Sequence, residues 1–405
     1  MPVNIITAGL IEGFDTLPFY RQIKAIAPYA AGVIAVKLWS RGAKNTWERN
    51  LNGKVYILTG ATTQGMGTSV ALEMAQKGAQ LIILTRVVDE WSTEWVEDLR
   101  QRTGNELIYL EQCDLSDLYE VRKFATKWLD NSPPRRLDGV VVMSGNLQPA
   151  GLVPGWSHGT RKSSKDGLEL QIATNFAGVF HLLNLLTPSF KAQPPDRDVR
   201  IIVTTCMLQA IGEVQVDDPL WEDVKYDRPL KFFGSSKLQL SLCMLELQRR
   251  ILSSTTKDGR SGKNVTVVLA QPGVMRSTSL RQLISNGSVF VLVFIYSILL
   301  YPLLWLLTKS GYRGAQSILY ALTTPELEEI NWVDEQVKYV VNCSMAKFAR
   351  KEFADKELQE KLYETTEAKI LEVEKKMAVK RNLSKKNTKN DAKGRTKDAK
   401  GNRKD

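Results

Sequence analysis

Residues 54–67 constrain the fold more tightly than any other stretch. A short apolar run, KVYILTG, breaks into Thr59-Gly60-Ala61-Thr62-Thr63-Gln64-Gly65-Met66-Gly67, and a helical pattern follows over 68–79. Glycines spaced T-G-x-x-x-G-x-G let the backbone turn tightly and leave amides open at the head of a helix. Unpaired N–H groups and the positive helix end favour a diphosphate there. A plain turn is the other reading, but a glycine loop at a strand-to-helix junction opening a βα array is a specific signal. The rhythm recurs in AQLIILTR (79–86), ELIYLEQCDL (106–115), LDGVVVMSG (137–145), RIIVTTC (200–206), VTVVLAQPG (265–273) and VKYVVNC (337–343). Helical patterns at 89–103, 117–131 and 311–322 alternate with these runs. Uninterrupted Val/Ile/Leu runs mark strands buried on both faces, and their alternation with helices predicts an α/β, doubly wound parallel sheet.

Composition narrows the remaining classes. The chain has 405 residues, 43% of them hydrophobic and 24% charged, enough for one large or two ordinary domains with a sizeable core. Its mean hydropathy of −0.21 excludes a polytopic membrane protein but leaves room for one or two membrane-touching segments. The net charge of +11 is concentrated: residues 379–405 hold eleven Lys/Arg against three Asp, leaving +3 for the rest. That run reads as a disordered, solvated basic tail, with attraction to anionic lipid head groups as the competing role; no nucleic-acid partner is expected. Cys113, Cys206, Cys243 and Cys343 are widely spaced, without CxxC or histidine pairing, and read as reduced thiols with no metal site. His158 and His181 are the only histidines, so zinc hydrolase or Ser-His-Asp chemistry has almost nothing to build on.

Two segments bear on membranes. Residues 25–39, AIAPYAAGVIAVKLW, are small and apolar between Arg21, Lys24, Arg41 and Lys44, but fall short of the ~20 residues of a spanning helix. Interrupted by Pro28 and Lys37, they read as an interfacial helix within an N-terminal unit, 1–50; a packing helix is the alternative. A cleaved signal is not expected, since the apolar run starts late and no basic cluster precedes it. Residues 289–308 meet the spanning length with Pro302 as the only breaker, yet crossing would put the 337–343 strand on the wrong side from its sheet. A hydrophobic hairpin or interfacial helix inserted in the main domain, 51–345, resolves the conflict. Residues 346–378 follow as a charged helix with Leu358, Leu362, Thr366, Ile370, Val373 and Met377 on one stripe, a packing face.

The second strand ends Leu84-Thr85-Arg86, with no carboxylate to accept from a ribose 2′-hydroxyl. Arg86 is placed to meet a 2′-phosphate, which favours NADP(H) over NAD; a surface arginine at a helix start is the other reading. At this point the chain resembles the short-chain dehydrogenase/reductase (SDR) family, within it the membrane-associated branch similar to retinol dehydrogenases, and most closely a fungal oxidoreductase of that branch. The likeness spans about residues 53–345. It is carried by the 59–67 loop, Asp114-Leu115, Leu137-Asp138-Gly139 leading to Ser144-Gly145, and Asp166-Gly167-x-Glu169 before Asn175. Pro272-Gly273 with Ser277, and Lys338-Tyr339 with Cys343, complete it. The resemblance implies a Rossmann-type fold and a nicotinamide cofactor, NADP(H). It implies cofactor contacts at Gly60, Thr62, Gln64, Gly65, Met66, Gly67, Arg86, Asp114, Leu115, Ser144, Gly145, Asn175, Lys237, Pro272, Gly273 and Ser277. It further implies a lipophilic substrate, a membrane surface as partner, a possible homodimer, and residence at the cytosolic face of the endoplasmic reticulum or a lipid droplet.

The departures fall on the chemistry. The family's Y-x-x-S-K box aligns with Phe233-Gly234-Ser235-Ser236-Lys237, so the lysine is kept and the tyrosine is phenylalanine; the catalytic serine aligns with Cys206; N-N-A-G reads V-M-S-G. In the family, tyrosine passes a proton to the carbonyl oxygen as hydride arrives, and serine polarises the carbonyl. Three substitutes are open: a proton from Cys206, a proton from Tyr226 swung into place, or hydride transfer to a polarised C=C. Lys237, Asn175, Cys206 and Tyr226 are therefore the expected catalytic residues. A nucleotide-binding scaffold without turnover is the competing class.

Overall fold

The computed structural model describes residues 20–149, 160–253, 262–285, 288–327 and 337–401, with side chains as far as Leu383. After α1 (Tyr20–Ser40) the chain alternates strictly: β1 (Val55–Thr59), α2 (Met66–Gln76), β2 (Gln80–Thr85), α3 (Glu90–Thr103), β3 (Ile108–Gln112), α4 (Leu118–Leu129) and β4 (Gly139–Val142). Next come α5 (Gly178–Lys191), β5 (Val199–Thr204), α6 (Pro229–Ser253), β6 (Val265–Gln271) and α7 (Thr278–Ser285). A π-helical stretch, Val291–Leu300, leads into α8 (Tyr301–Leu307), α9 (Gly311–Thr323), β7 (Lys338–Val341), β8 (Ser344–Ala346) and α10 (Lys356–Gly401).

β1 shows why the apolar runs are continuous. All five of its residues are buried, Val55 and Ile57 in the core on one face of the sheet, Tyr56 and Leu58 in the core on the other. α4, α5, α6 and the first turns of α10 cover the first face; α2, α3 and α9 cover the second. The sheet runs β3-β2-β1-β4-β5-β6-β7-β8, parallel except for β7–β8. This is the expected doubly wound Rossmann sheet. Its strand order reverses between β1 and β4, which opens a crevice at their carboxyl ends. β8 was not legible: three residues after a tight turn at Asn342 and Cys343 (φ 52° and 59°) are too few to show a pattern.

α10 differs in extent from the expected helix. It begins at Lys356 and runs to Gly401, so most of the basic segment expected to be disordered is helical; residues 402–405 lie outside the described residues. Lys, Arg and Ala are good helix formers and can prolong a helix that buries nothing; Val379 and Leu383 are already exposed. The expected stripe holds: Leu362, Thr366, Ile370 and Val373 are buried, and Leu358 and Met377 pack against the same core.

α1 corrects a second expectation. Its 21 residues include Pro28 without a break, so it is long and apolar enough to cross a membrane, where 25–39 alone falls short; none of its residues is buried. The apolar helix Val291–Leu307 lies within an excursion, residues 277–308, whose flanks meet. The Lys309 amide donates to Val274 O and the Arg276 amide to Lys309 O, each at 3.0 Å. The helix itself is about 25 Å long, so the chain leaves at Arg276, covers that distance over residues 277–290 and returns along the helix to Lys309. The Arg276 guanidinium also donates to Trp305 O and Thr308 O, and Ser40 at the end of α1 donates to Leu306 O.

Candidate active site

The residues that follow β1 to β6 meet at the carboxyl edge of the sheet in one trough. Its outer part, about 920 Å³, is lined by Gly60, Thr62, Gln64, Arg86, Asp114, Leu115, Ser144 and Gly145. Its inner part, about 410 Å³, shares Gly60, Gln64, Ser144 and Gly145 and adds Met66, Gly67, Cys206, Phe233, Lys237, Pro272, Gly273 and Ser277.

The loop needs two of its glycines for space. Gly60 has φ 72°, and a Cβ there would lie 2.6 Å from the Ser144 nitrogen; a Cβ on Gly67 would overlap the Gly60 carbonyl oxygen. The side-chain-free floor so formed opens at the first turn of α2 and fits a dinucleotide diphosphate. Gly65 stands apart from this cradle. At φ 131° it faces α9, where a Cβ on Gly311 would strike its backbone, and its carbonyl accepts from the Thr68 and Ser69 hydroxyls. It shapes the loop without lining the trough. Asp114 Oδ1 accepts from the Ser116 amide and hydroxyl at 2.9 and 2.8 Å, fixing the turn at the trough's wall. Arg86 is exposed and lines the outer part together with Asp89 and Lys162.

Lys237 is the buried cation of the inner part. Its Nζ donates to Ser144 O at 3.1 Å and Thr204 O at 3.4 Å; burial pushes its pKa down to about 8, against a smaller opposing effect of Cys206. Phe233, one helical turn earlier on α6, packs with Leu147, Leu230, Leu280 and Leu283. Cys206 lines the same space; burial raises its thiol above the usual range, with Lys237 opposing.

Two expected catalytic residues lie elsewhere. Asn175 is fully buried in a π-helical turn ahead of α5. Its Oδ1 accepts from the Asn146 amide at 2.6 Å, and its Nδ2 donates to Asn146 O at 2.9 Å and to Ser236 Oγ at 3.3 Å. It therefore clamps the segment after β4 from behind and contacts no ligand space. Tyr226 packs on Phe232 at 4.8 Å beneath the start of α6, outside the trough; burial first and Glu169 second raise its pKa to about 12. Held there, it does not replace the missing tyrosine hydroxyl. Sequence reasoning missed Asn146, which lines the outer part, and the α7 residues Thr278 and Ser279, which line both parts; only the adjacency of Asn146 to Ser144-Gly145 could have flagged it.

A family model described as short chain dehydrogenase matches residues 54–214. The chain is 63% identical to an uncharacterised oxidoreductase of Saccharomyces cerevisiae over 97% of this chain and 98% of that protein. It is 30% identical to human retinol dehydrogenase 13 over 76% of this chain and 84% of that protein. An uncharacterised protein of Mycobacterium paratuberculosis shares the fold, with a TM-score of 0.54 at 22% identity over 81% of this chain and 97% of that one. The glycine-floored trough, the buried lysine and these likenesses agree with the resemblance read from the motifs: the chain belongs to the short-chain dehydrogenase/reductase family.

Proposed function

We propose that this chain is an NADP(H)-dependent oxidoreductase acting at a membrane surface on a lipophilic carbonyl, alcohol or enone. The trough carries the reading. A glycine-floored outer part suited to a dinucleotide runs without a break into an inner part walled by Leu147, Leu208, Leu230, Phe233, Leu280 and Leu283, which suits an apolar substrate. Lys237, Pro272, Gly273 and Ser277 would hold the nicotinamide end, which when bound exchanges a hydride with substrate carbon. Arg86 and Lys162 supply positive charge for a 2′-phosphate.

The test begins with binding. NADPH at a hundred times its Kd should raise the melting temperature by several degrees. Arg86→Asp removes a charge-assisted contact and should weaken NADPH about tenfold to a hundredfold while leaving NADH unchanged. Consumption of NADPH should follow on adding retinal or a long-chain aldehyde in vesicles. No shift with either nucleotide and no consumption would end this reading.

Two apolar helices that touch each other through Lys37, Ser40, Trp305 and Leu306 and leave most of their side chains exposed support the membrane surface. Ile26, Tyr29, Ile34 and Trp39 of α1 and Phe290, Phe294, Ile298 and Leu299 of the hairpin are exposed, and Arg21, Lys24, Arg41 and Lys44 flank α1. We place this surface at the cytosolic face of the endoplasmic reticulum or a lipid droplet. Replacing Phe290, Phe294 and Ile298 by Asp removes roughly 1.5–3 kcal/mol of apolar transfer at each. Co-sedimentation with phosphatidylcholine vesicles should fall more than tenfold, with the melting temperature unchanged because all three side chains are exposed. Undiminished co-sedimentation would refute the role of the hairpin.

A second reading, a nucleotide-binding partner without turnover in a membrane enzyme assembly, is favoured by one observation. Positions 233 and 206, where the family has its acid and its polarising hydroxyl, present a phenyl ring and a thiol to the inner trough.

A further inference from the structure

We propose that Lys237 is itself the proton donor and acceptor of the reaction, passing its Nζ proton directly to the substrate oxygen. The inference rests on the oxidoreductase reading above and deepens it. Lysine has three N–H donors; two go to Ser144 O and Thr204 O, and the third has no acceptor among the described residues. Lys237 lines the inner trough, and Gly145, which lines both parts, leaves room beside it: a Cβ there would lie 3.9 Å from Nζ. A hydroxyl at position 233 would compete for that proton; Phe233 cannot. The groups packed around Nζ are neutral apart from the ionisable Cys206, and no carboxylate acts on it, so its charge is not pinned by an ion pair.

The step balances without another reagent. As a carbonyl carbon gains a hydride from the reduced nicotinamide, its oxygen takes the Nζ proton: a C–H and an O–H bond form, the nicotinamide C–H and one N–H bond break. The carbonyl is reduced by two electrons, the nicotinamide is oxidised, and the amine left behind recovers a proton from water in the open trough. Alcohol oxidation is the reverse, with the neutral amine as base. Cys206 is the rival donor, but burial weakens its thiol as an acid while it brings the lysine near neutral pH, where proton exchange is most effective.

The experiment compares the natural chain, Lys237→Arg and Cys206→Ala, with NADPH and retinal in phosphatidylcholine vesicles. Arginine keeps the positive charge but does not give up its proton. Lys237→Arg should keep the NADPH-induced thermal shift yet lose at least a hundredfold in kcat, whereas Cys206→Ala, whatever it does to kcat, should keep the fall of kcat with rising pH that marks the lysine. In the natural chain, kcat for reduction should fall as pH rises through about 8, the range to which Lys237 is pushed. A readout independent of turnover is the titration of ε-13C-labelled lysine by NMR in the nucleotide-free protein, with the Lys237 resonance assigned by its loss in Lys237→Arg. A midpoint near 8 supports the proposal, and one in the ordinary lysine range overturns it. Unchanged kcat in Lys237→Arg, or loss of that pH dependence in Cys206→Ala, overturns it too while leaving the oxidoreductase reading intact. Absence of any nucleotide shift in the natural chain sinks both.

Discussion

A chain ended at Asp355 will fail to accumulate as folded protein, and one ended at Leu383 will melt within about two degrees of the full chain. The contrast follows from what α10 buries. Leu362, Tyr363, Ile370 and Val373 are at most 7% exposed, and Gln359 and Thr366 are fully buried. Four such apolar side chains stabilise the fold by roughly 6–12 kcal/mol, against about 5–15 kcal/mol for a whole domain. Polar loss adds to this. The Tyr363 hydroxyl donates to Asn184 Oδ1 at 2.9 Å, Asn184 donates to Glu367 at 2.8 Å, and Glu374 binds both Arg122 and His181. Burial works to raise the Glu374 pKa, but the hydrogen bonds from Arg122 and His181 outweigh it and hold the carboxyl at about 2. Without α10, His181 and the edge of Phe180 that Tyr363 covers would face solvent on α5. Soluble yield and thermal unfolding of the two truncations decide the matter; equal yields would show α10 to be an appendage.

What could be read beforehand divides along a physical line. Strands buried on both faces announce themselves by composition alone, so every parallel strand was legible, and with them the helices at 68–79, 89–103, 117–131 and 311–322. Gly178–Lys191 and Pro229–Ser253, buried on several sides, show no such one-faced pattern. The glycine loop was legible because its residue types are forced by space, as the contact between positions 60 and 144 shows. Asn175 and Tyr226 were misplaced for the opposite reason: a side chain's direction is set by packing that sequence spacing does not encode. One faces Asn146 from behind, the other Phe232. The path of the 289–308 segment was ambiguous by length and hydropathy, because the return of the chain to Val274 through Lys309 is a backbone contact that no hydropathy pattern encodes. β8 and the extent of α10 were illegible because neither depends on an apolar pattern.

Phe233→Tyr should raise the rate of carbonyl reduction about a hundredfold without changing NADPH affinity. The ring lines a space of about 410 Å³, so one added oxygen needs little rearrangement of Leu147, Leu230, Leu280 and Leu283 around it. Residues 233 and 237 share a face of α6, and an adjacent ammonium lowers the pKa of a phenol and makes it a better acid. General acid assistance is typically worth 10²–10⁴-fold, and the lower end applies because Lys237 already supplies part of it. Natural-chain turnover, measured first, separates the two functional readings: a rate that rises from a finite value marks an enzyme with a rerouted proton, and one that arises from nothing marks a scaffold. The double variant sharpens the point. If Lys237 is the natural donor, Phe233→Tyr in the Lys237→Arg background should restore most of the lost kcat, because the phenol then gives the proton while arginine keeps the charge. If instead Lys237 only holds the nucleotide, the tyrosine will stimulate both backgrounds by the same factor, and a ratio of one between those factors would leave the lysine a positioning residue.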